Sequence, residues 1–184
     1  MSLDHLWAAW RSAYVAEVSS EPPPPALDAA RDGEGGPGRR EEAECVFCCI
    51  FASGEGDEVH HVIWQGRLSV VLLNAFPYSS GHVLVMPRRH VAELEDLEPE
   101  ESTDVWEAVR RSVRAIQKAY SPDGCNIGAN LGRAAGAGIP RHFHLHVLPR
   151  WVGDTNFMTT VASTRVLPEA LPDSWSKLRG AWPG

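Results

Sequence analysis

No stretch of the 184 residues approaches the roughly 18–20 consecutive apolar positions of a membrane-spanning helix. The first thirty residues also lack a basic segment followed by an apolar run and a small-residue cleavage site, so the expectation is a cytoplasmic chain with no membrane partner. An excess of positive charge is missing too: 17 Lys and Arg stand against 24 Asp and Glu, a formal net charge of -7. A protein whose main partner is the nucleic-acid backbone needs a basic patch, so nucleic acid is not expected as a partner, whereas a small anionic ligand in a local pocket is compatible. Cysteine is scarce, at 4 residues, and is poorly spaced for a secreted disulfide framework. Cys45, Cys48 and Cys49 are bunched and read best as metal ligands; Cys125 stands alone in an apolar stretch and reads as core.

Against those absences stands His142-Phe143-His144-Leu145-His146-Val147-Leu148-Pro149, with histidine at every second position. Successive side chains of a strand point to opposite sides, so Phe143, Leu145 and Val147 can enter a core while the three imidazoles share the other face. Neighbouring rings would then be roughly 6.5–7 Å apart at the backbone and the outer pair about 13 Å apart, too far to share one ion. His142 and His144 are close enough to do so, and the three rings are expected to have different tasks.

The rest of the chain arranges itself around that strand. Residues 1–17 read as an amphipathic arm, with Asp4 able to cap a helix, and 18–44 as a flexible Pro/Gly-rich linker containing Pro22 to Pro25. A globular body follows from Cys45. Val62-Ile63-Trp64 and Ser69 to Leu73 form a hairpin across Gln65-Gly66-Arg67. Asn74 to Gly81 is a loop, and His82 to Met86 a strand stopped by Pro87. Pro99 to Tyr120 has an early proline, Glu100 and Glu101 at the positive end of the helix dipole, and Val105, Val109, Val113, Ile116 and Tyr120 on one stripe; it predicts a long helix. The acidic run from Glu93 to Glu101 reads as a solvated helix entrance. Cys125 to Leu131 can form a strand leading into a loop of small residues, Gly132 to Gly138. A tail from Trp151 carries a short helix near 168–178. The order predicts an α+β fold with a mainly antiparallel sheet and one long helix.

The histidine stretch resembles the signature of the histidine-triad (HIT) family of nucleotide hydrolases and transferases. Leu73-Asn74-Ala75-Phe76-Pro77-Tyr78, Gly81-His82 through His90, Asn130-Leu131-Gly132, Ala135 to Ile139 and Pro149-Arg150-Trp151 resemble the branch that contains diadenosine tetraphosphate phosphorylases. The resemblance implies a HIT-like domain over 45–157, an N-terminal arm and a C-terminal extension over 158–184. It implies a homodimer as well.

The same resemblance makes His144 the nucleophile that forms a nucleotidyl-histidine, gives His146 a contact to phosphate or the leaving group, and lets His82 orient a neighbour. Imidazole suits the first role because a neutral ring nitrogen attacks phosphorus without prior deprotonation. Phe47, Ile50 and Leu72 would line a base pocket, Asn74 would hold ribose and Asn130 would reach phosphate. Backbone N–H groups of Gly136 and Gly138 would cradle phosphate. Cys45-x-x-Cys48 has no second such pair to complete a metal site, so histidines must finish it; the resemblance nominates His90 and His142 and a structural zinc, with Cys49 an alternative to Cys48. The implied substrate is an adenine-containing nucleotide, with phosphate or water as acceptor. The implied reaction is phosphorolysis of diadenosine tetraphosphate to ADP and ATP. Hydrolysis of dinucleoside polyphosphates or nucleoside phosphoramidates, a non-catalytic nucleotide-binding module, and a catalytic metal held by His142 and His144 are the competing readings.

Overall fold

Alternation of apolar side chains builds one sheet with two covered faces. The computed structural model describes residues 45–154 and 169–183; the expected arm at 1–17 and linker at 18–44 lie outside the described residues. Strands β1 (Val62–Gln65), β2 (Ser69–Leu73), β3 (Val83–Pro87), β4 (Gly124–Ala129) and β5 (Leu145–Arg150) form a five-stranded sheet in the order β1-β2-β3-β5-β4. Every pairing is antiparallel. The strands β2 and β3 are buried at every position and are apolar throughout except at Ser69, whose hydroxyl donates to Asp104 at 2.6 Å.

The predicted helix is found over Pro99–Tyr120 as α2, counting α1 (Val46–Ala52) as the first. It lays Val105, Val109 and Ile116 against Val71, Val85 and Val147 of the sheet. Its acidic entrance is solvated as expected at Glu93, Glu95, Asp96, Glu98 and Glu100, with one exception. Glu101 is buried; it accepts the Glu98 N–H at 3.0 Å and two bonds from Arg89, at 2.9 and 2.7 Å. The hydrogen bonds from Arg89 hold this carboxyl below the usual range against the opposing effect of burial. Arg89 lies twelve residues away, so the local run of acids gave no sign of it.

Two further helices complete the layers. The tail helix is α3 (Leu171–Ala181), slightly later than expected, and it is part of the core: Leu178 and Ala181 are buried with Ile63 and Val109. Burial of one such leucine contributes about 1.5–3 kcal/mol. Helix α3 also covers the outer edge of β1. Trp175 Nε1–H donates to the Val62 carbonyl at 2.8 Å, and Arg179 donates to the carbonyls of Val62 and Ile63, both at 3.2 Å. At the opposite edge, among the described residues, β4 pairs with β5 alone.

The cysteine-rich opening, which carried no secondary-structure expectation, is α1. It lies over the other face of the sheet, with Cys45 and Phe47 packed on Val62, Val70, Leu72, Leu84 and Met86. The even-numbered residues of β2 and β3 therefore face α1, and the strand register carries that row outward through Leu72, Leu84, His146 and Gly128. Among the described residues no helix is long and apolar enough to cross a membrane.

Candidate active site

Phe143, Leu145 and Val147 do enter the α2 side of the core, and the histidines take the other side. That side is covered as well. His142 and His144 are buried beneath α1, with Phe47 edge-on to both rings at 5.4 Å between centroids. Each imidazole is held by a different hydrogen bond, and the donor–acceptor inventory of the ring then fixes which nitrogen carries the proton.

His142 points its Nε2 at the Pro87 carbonyl, 3.0 Å away. A carbonyl only accepts, so Nε2 carries the hydrogen and Nδ1 presents a lone pair. That lone pair faces sulfur: Cys45 Sγ is 3.4 Å from Nδ1 and Cys48 Sγ 3.6 Å. His90 Nδ1 is 3.4 Å from Cys48 Sγ. The ligand atoms of Cys45, Cys48, His90 and His142 all lie within 4.8 Å of one another and can hold a metal ion. All four expected ligands are brought together from three separated stretches. Cys49 is exposed, and Cys48 is the member of the pair that faces the cluster.

His144 Nδ1 is 2.8 Å from the carbonyl of His142, so Nδ1 is protonated and Nε2 keeps its lone pair. Burial pushes this ring below the ordinary imidazole range, opposed by the carbonyl bond, so it is neutral at neutral pH. A buried, neutral imidazole with one nitrogen pinned and the other unprotonated is equipped for nucleophilic attack.

His146 has the reverse arrangement. The Tyr78 backbone N–H donates to His82 Nδ1 at 3.1 Å, which leaves the His82 proton on Nε2. That atom is 3.0 Å from His146 Nδ1. His146 therefore accepts at Nδ1 and carries its proton on Nε2, a buried atom with no hydrogen-bond partner among the described residues. An unsatisfied buried donor is costly unless something meets it, and here it lies on the same face as the His144 ring, 5.1 Å away between centroids. Burial, reinforced by His144, holds His146 down to about 4. The orienting role expected of His82 thus has a physical form.

The remaining site residues fall around this line of rings. Leu72 is buried and Ile50 packs on the same cluster as Phe47. Asn74 makes a local turn, accepting the Phe76 N–H at 3.0 Å, and its Nδ2 reaches His82 Nδ1 at 3.4 Å. Asn130 Nδ2 donates to the Gly136 carbonyl at 3.4 Å, tying β4 to the small-residue loop. The loop differs from the expectation of free amides: Gly136 N–H bonds to Arg133 O at 2.9 Å and Ala137 N–H to Gly132 O at 3.3 Å. Gly136, at φ 90°, closes this turn, a conformation that favours glycine. Of the three amides, Gly138 N–H alone has no backbone partner among the described residues. Beside His146, Gly128 leaves an opening, since a Cβ there would meet nothing within 4 Å. One contributor was missed. Tyr78 stacks on His146, with 5.9 Å between centroids and 21° between planes, and its only sign in the sequence was its place in the motif before Gly81-His82.

The chain is similar to several known proteins. The family model of the HIT domain matches residues 55–152. The chain is 35% identical over 180 residues to AP-4-A phosphorylase of Mycobacterium tuberculosis, covering 98% of this chain and 85% of the relative. It is 41% identical over 93 residues to an asymmetrical bis(5'-nucleosyl)-tetraphosphatase of Schizosaccharomyces pombe, covering 50% of each chain. Among solved structures, a zinc-bound histidine triad family protein from Mycobacterium smegmatis matches with a TM-score of 0.62 at 32% identity, over 76% of this chain and 94% of that one.

The neutral rings give folding a pH dependence of definite sign. Unfolded His146 takes up a proton below its ordinary 6.5, whereas the folded ring stays neutral down to about 4. The unfolded state therefore binds more protons in that window, and stability falls as pH falls through it, with no contribution from this ring above about 6.5. Urea midpoints of metal-free protein at half-unit pH steps are expected to show this slope, and His146→Gln to flatten it. An unchanged slope in the variant would contradict the assignment.

Proposed function

The chain belongs to the HIT family, and from that membership and the histidine geometry we propose that it is an enzyme transferring nucleotidyl groups from dinucleoside polyphosphates through a covalent intermediate on His144. The observation that carries the reading is the opposed tautomers of His144 and His146, a lone pair and a hydrogen-bond donor on one buried face.

In the first step His144 Nε2 attacks the α-phosphorus. An N–P bond forms, and the P–O bond to the rest of the polyphosphate breaks. His144 keeps its Nδ1 proton on the His142 carbonyl, which stabilises the positive charge that develops on the ring. The departing nucleoside polyphosphate leaves as an anion and needs no proton, so His146 Nε2–H acts as a hydrogen-bond donor to the leaving oxygen. In the second step an acceptor oxygen attacks the same phosphorus and releases His144. With inorganic phosphate as acceptor, diadenosine tetraphosphate gives ATP in the first step and ADP in the second; with water it gives ATP and AMP. Similarity to a phosphorylase over nearly the whole chain favours phosphate. Phe47, Ile50 and Leu72 suit the base, Asn74 the ribose, and Asn130 with the Gly138 amide the phosphates. The catalytic unit is taken as 45–157.

Brief mixing with diadenosine tetraphosphate in the absence of phosphate is expected to add one acid-labile AMP to native protein and none to His144→Ala, read by intact mass. Adding phosphate is expected to yield ADP and ATP in equal amounts. Turnover unchanged by phosphate would assign water as the acceptor, and an adduct retained by His144→Ala would reject the nucleophile.

The metal in this reading is zinc. About 3.6 Å separates sulfur and nitrogen ligands at the corners of a tetrahedral zinc site, and the S···N distances of 3.4–3.6 Å fit it. The donor set fits too, with two thiols and two imidazoles, one of which has its second nitrogen on a carbonyl. Four protein ligands fill a tetrahedral shell, so zinc would serve structure and would not activate water. Structural zinc in small modules contributes about 10–16 kcal/mol, against about 1.5–3 kcal/mol for burying Phe47, so metal would dominate the attachment of α1. Chelation, or Cys48→Ser, is expected to lower the melting temperature by several degrees or more and to remove one equivalent of zinc by elemental analysis. A metal-free preparation with unchanged melting would refute the site.

A homodimer paired along β4 completes the proposal, because β4 is the edge of the sheet that no described element covers. Light scattering is expected to give twice the chain mass, and a charged substitution, Ile127→Lys on this strand, to halve it. A monomeric native protein at micromolar concentration would overturn it.

A further inference from the structure

His82 holds His146 in register, and the question is what holds His82. It follows Gly81 directly in the chain, and Gly81 sits at φ 78°, a conformation that other residues rarely adopt. The flat face of the Tyr120 ring rests on it: a Cβ at Gly81 would stand 2.6 Å from Cε2 and 3.0 Å from Cζ of that ring. The glycine is thus required both by its conformation and by the closeness of an aromatic ring at the last turn of α2.

Tyr120 is itself fixed on its far side. Its hydroxyl donates to Glu169 Oε2 at 2.7 Å, and Ser174 Oγ donates to the same oxygen at 2.8 Å. Lys177 forms an ion pair with the other oxygen and lies over the Tyr120 ring, 5.6 Å from its centroid. Trp151 meets the ring edge-on. Burial raises the Tyr120 hydroxyl well above its ordinary value, so it remains a donor. Burial raises Glu169 as well, but the bonds from Lys177, Tyr120 and Ser174 outweigh it and keep Glu169 a carboxylate. The arrangement joins Tyr120 at the end of α2, Trp151 after β5 and the segment from Glu169 to Lys177, which are distant in sequence.

We propose that Tyr120, anchored by Glu169, is a positioning residue for catalysis: its ring fixes Gly81 and hence His82, which keeps the His146 donor aimed at the leaving oxygen. The proposal rests on the nucleotidyl-transfer reading for its kinetic consequence, though not for its structural one. A leaving group of high basicity depends most on that donor, because more negative charge collects on its oxygen in the transition state. Loosening Tyr120 therefore slows the first half-reaction selectively, whereas general damage to the fold slows it uniformly.

The test uses a series of aryl esters of AMP whose phenols span acidic to weakly acidic, with single-turnover formation of the His144 adduct as the rate. Tyr120→Leu is expected to lose about tenfold with the phenyl ester and less than about twofold with the dinitrophenyl ester. Tyr120→Phe, which retains the ring on Gly81, is expected to restore most of the loss. In a His82→Ala background Tyr120→Leu is expected to cost nothing further, as a residue acting through His82 must. Nitrogen-15 spectra of the histidine rings provide a readout independent of turnover: His146 is expected to be a single Nε2–H tautomer in native protein and a mixture in Tyr120→Leu. Equal loss across the esters, or an unaltered His146 spectrum in Tyr120→Leu, would overturn the proposal. Native protein that forms no adduct with any ester would count against the nucleotidyl-transfer reading, and the ring spectra would then decide the positioning role by themselves.

Discussion

Backbone carbonyls and one backbone amide decide what each histidine of the triad can do. An imidazole in water exchanges its proton between two nitrogens and offers no fixed polarity. Here the Pro87 carbonyl turns His142 into a lone pair facing sulfur, and the His142 carbonyl turns His144 into a lone pair facing the site. The Tyr78 amide, acting through His82, turns His146 into a donor. For His142 and His144 the partners are main-chain atoms, which side-chain substitution removes only by moving the backbone; His146 alone depends on an intervening side chain, that of His82. The polarity of the site is thereby tied to the register of β5 against β3.

Burial then makes that assignment hold. In a half-exposed position each ring would sit near its ordinary pKa, with a fraction charged at neutral pH and unable to serve as a nucleophile. Coverage by α1 and Phe47 keeps the rings neutral. The same coverage has its own anchor. Helix α1 is seven residues long, too short to stand alone, and its two cysteine contributions meet His90 and His142 under the sheet. The Cys/His cluster and His144 are directly linked, since the carbonyl that orients His144 belongs to His142 and Phe47 packs on both rings.

What the sequence made legible was whatever depends on local period or on a short motif. Three histidines at alternate positions gave the correct two faces, although the strand read from His142 begins only at Leu145, so that His142 and His144 lie on the extended approach to β5 and His146 alone within it; a 22-residue stripe with proline at its start located α2. Of the candidate ligands, Cys45 and Cys48 were visible from their spacing, whereas His90 and His142 came from resemblance, because nothing local connects positions nearly a hundred residues apart. The opening helix escaped notice because Val46 to Ala52 is brief and rich in aromatic and β-branched residues, with too few turns to display a period. Glu101 looked solvated because its charge lay in an acidic run, and only the fold brings Arg89 to it. Tyr120 read as the last residue of an apolar stripe, and the ring does pack; its hydroxyl found Glu169 across 49 positions of chain. Local pattern thus identifies which groups are available, and their partners become visible once the sheet has brought separate segments together.

The cap that α3 places on β1 bears on assembly. Two indole and guanidinium donors occupy carbonyls that a passing strand would otherwise use, so among the described residues the sheet can be extended in one direction only. Joining two such sheets through β4 is isologous: each copy presents the same edge to the other, and both open edges are consumed in one event. A third copy then finds no strand to add to. In the proposed dimer, growth by strand addition would therefore terminate at a pair, denying this sheet the route to fibres that an uncapped one would keep.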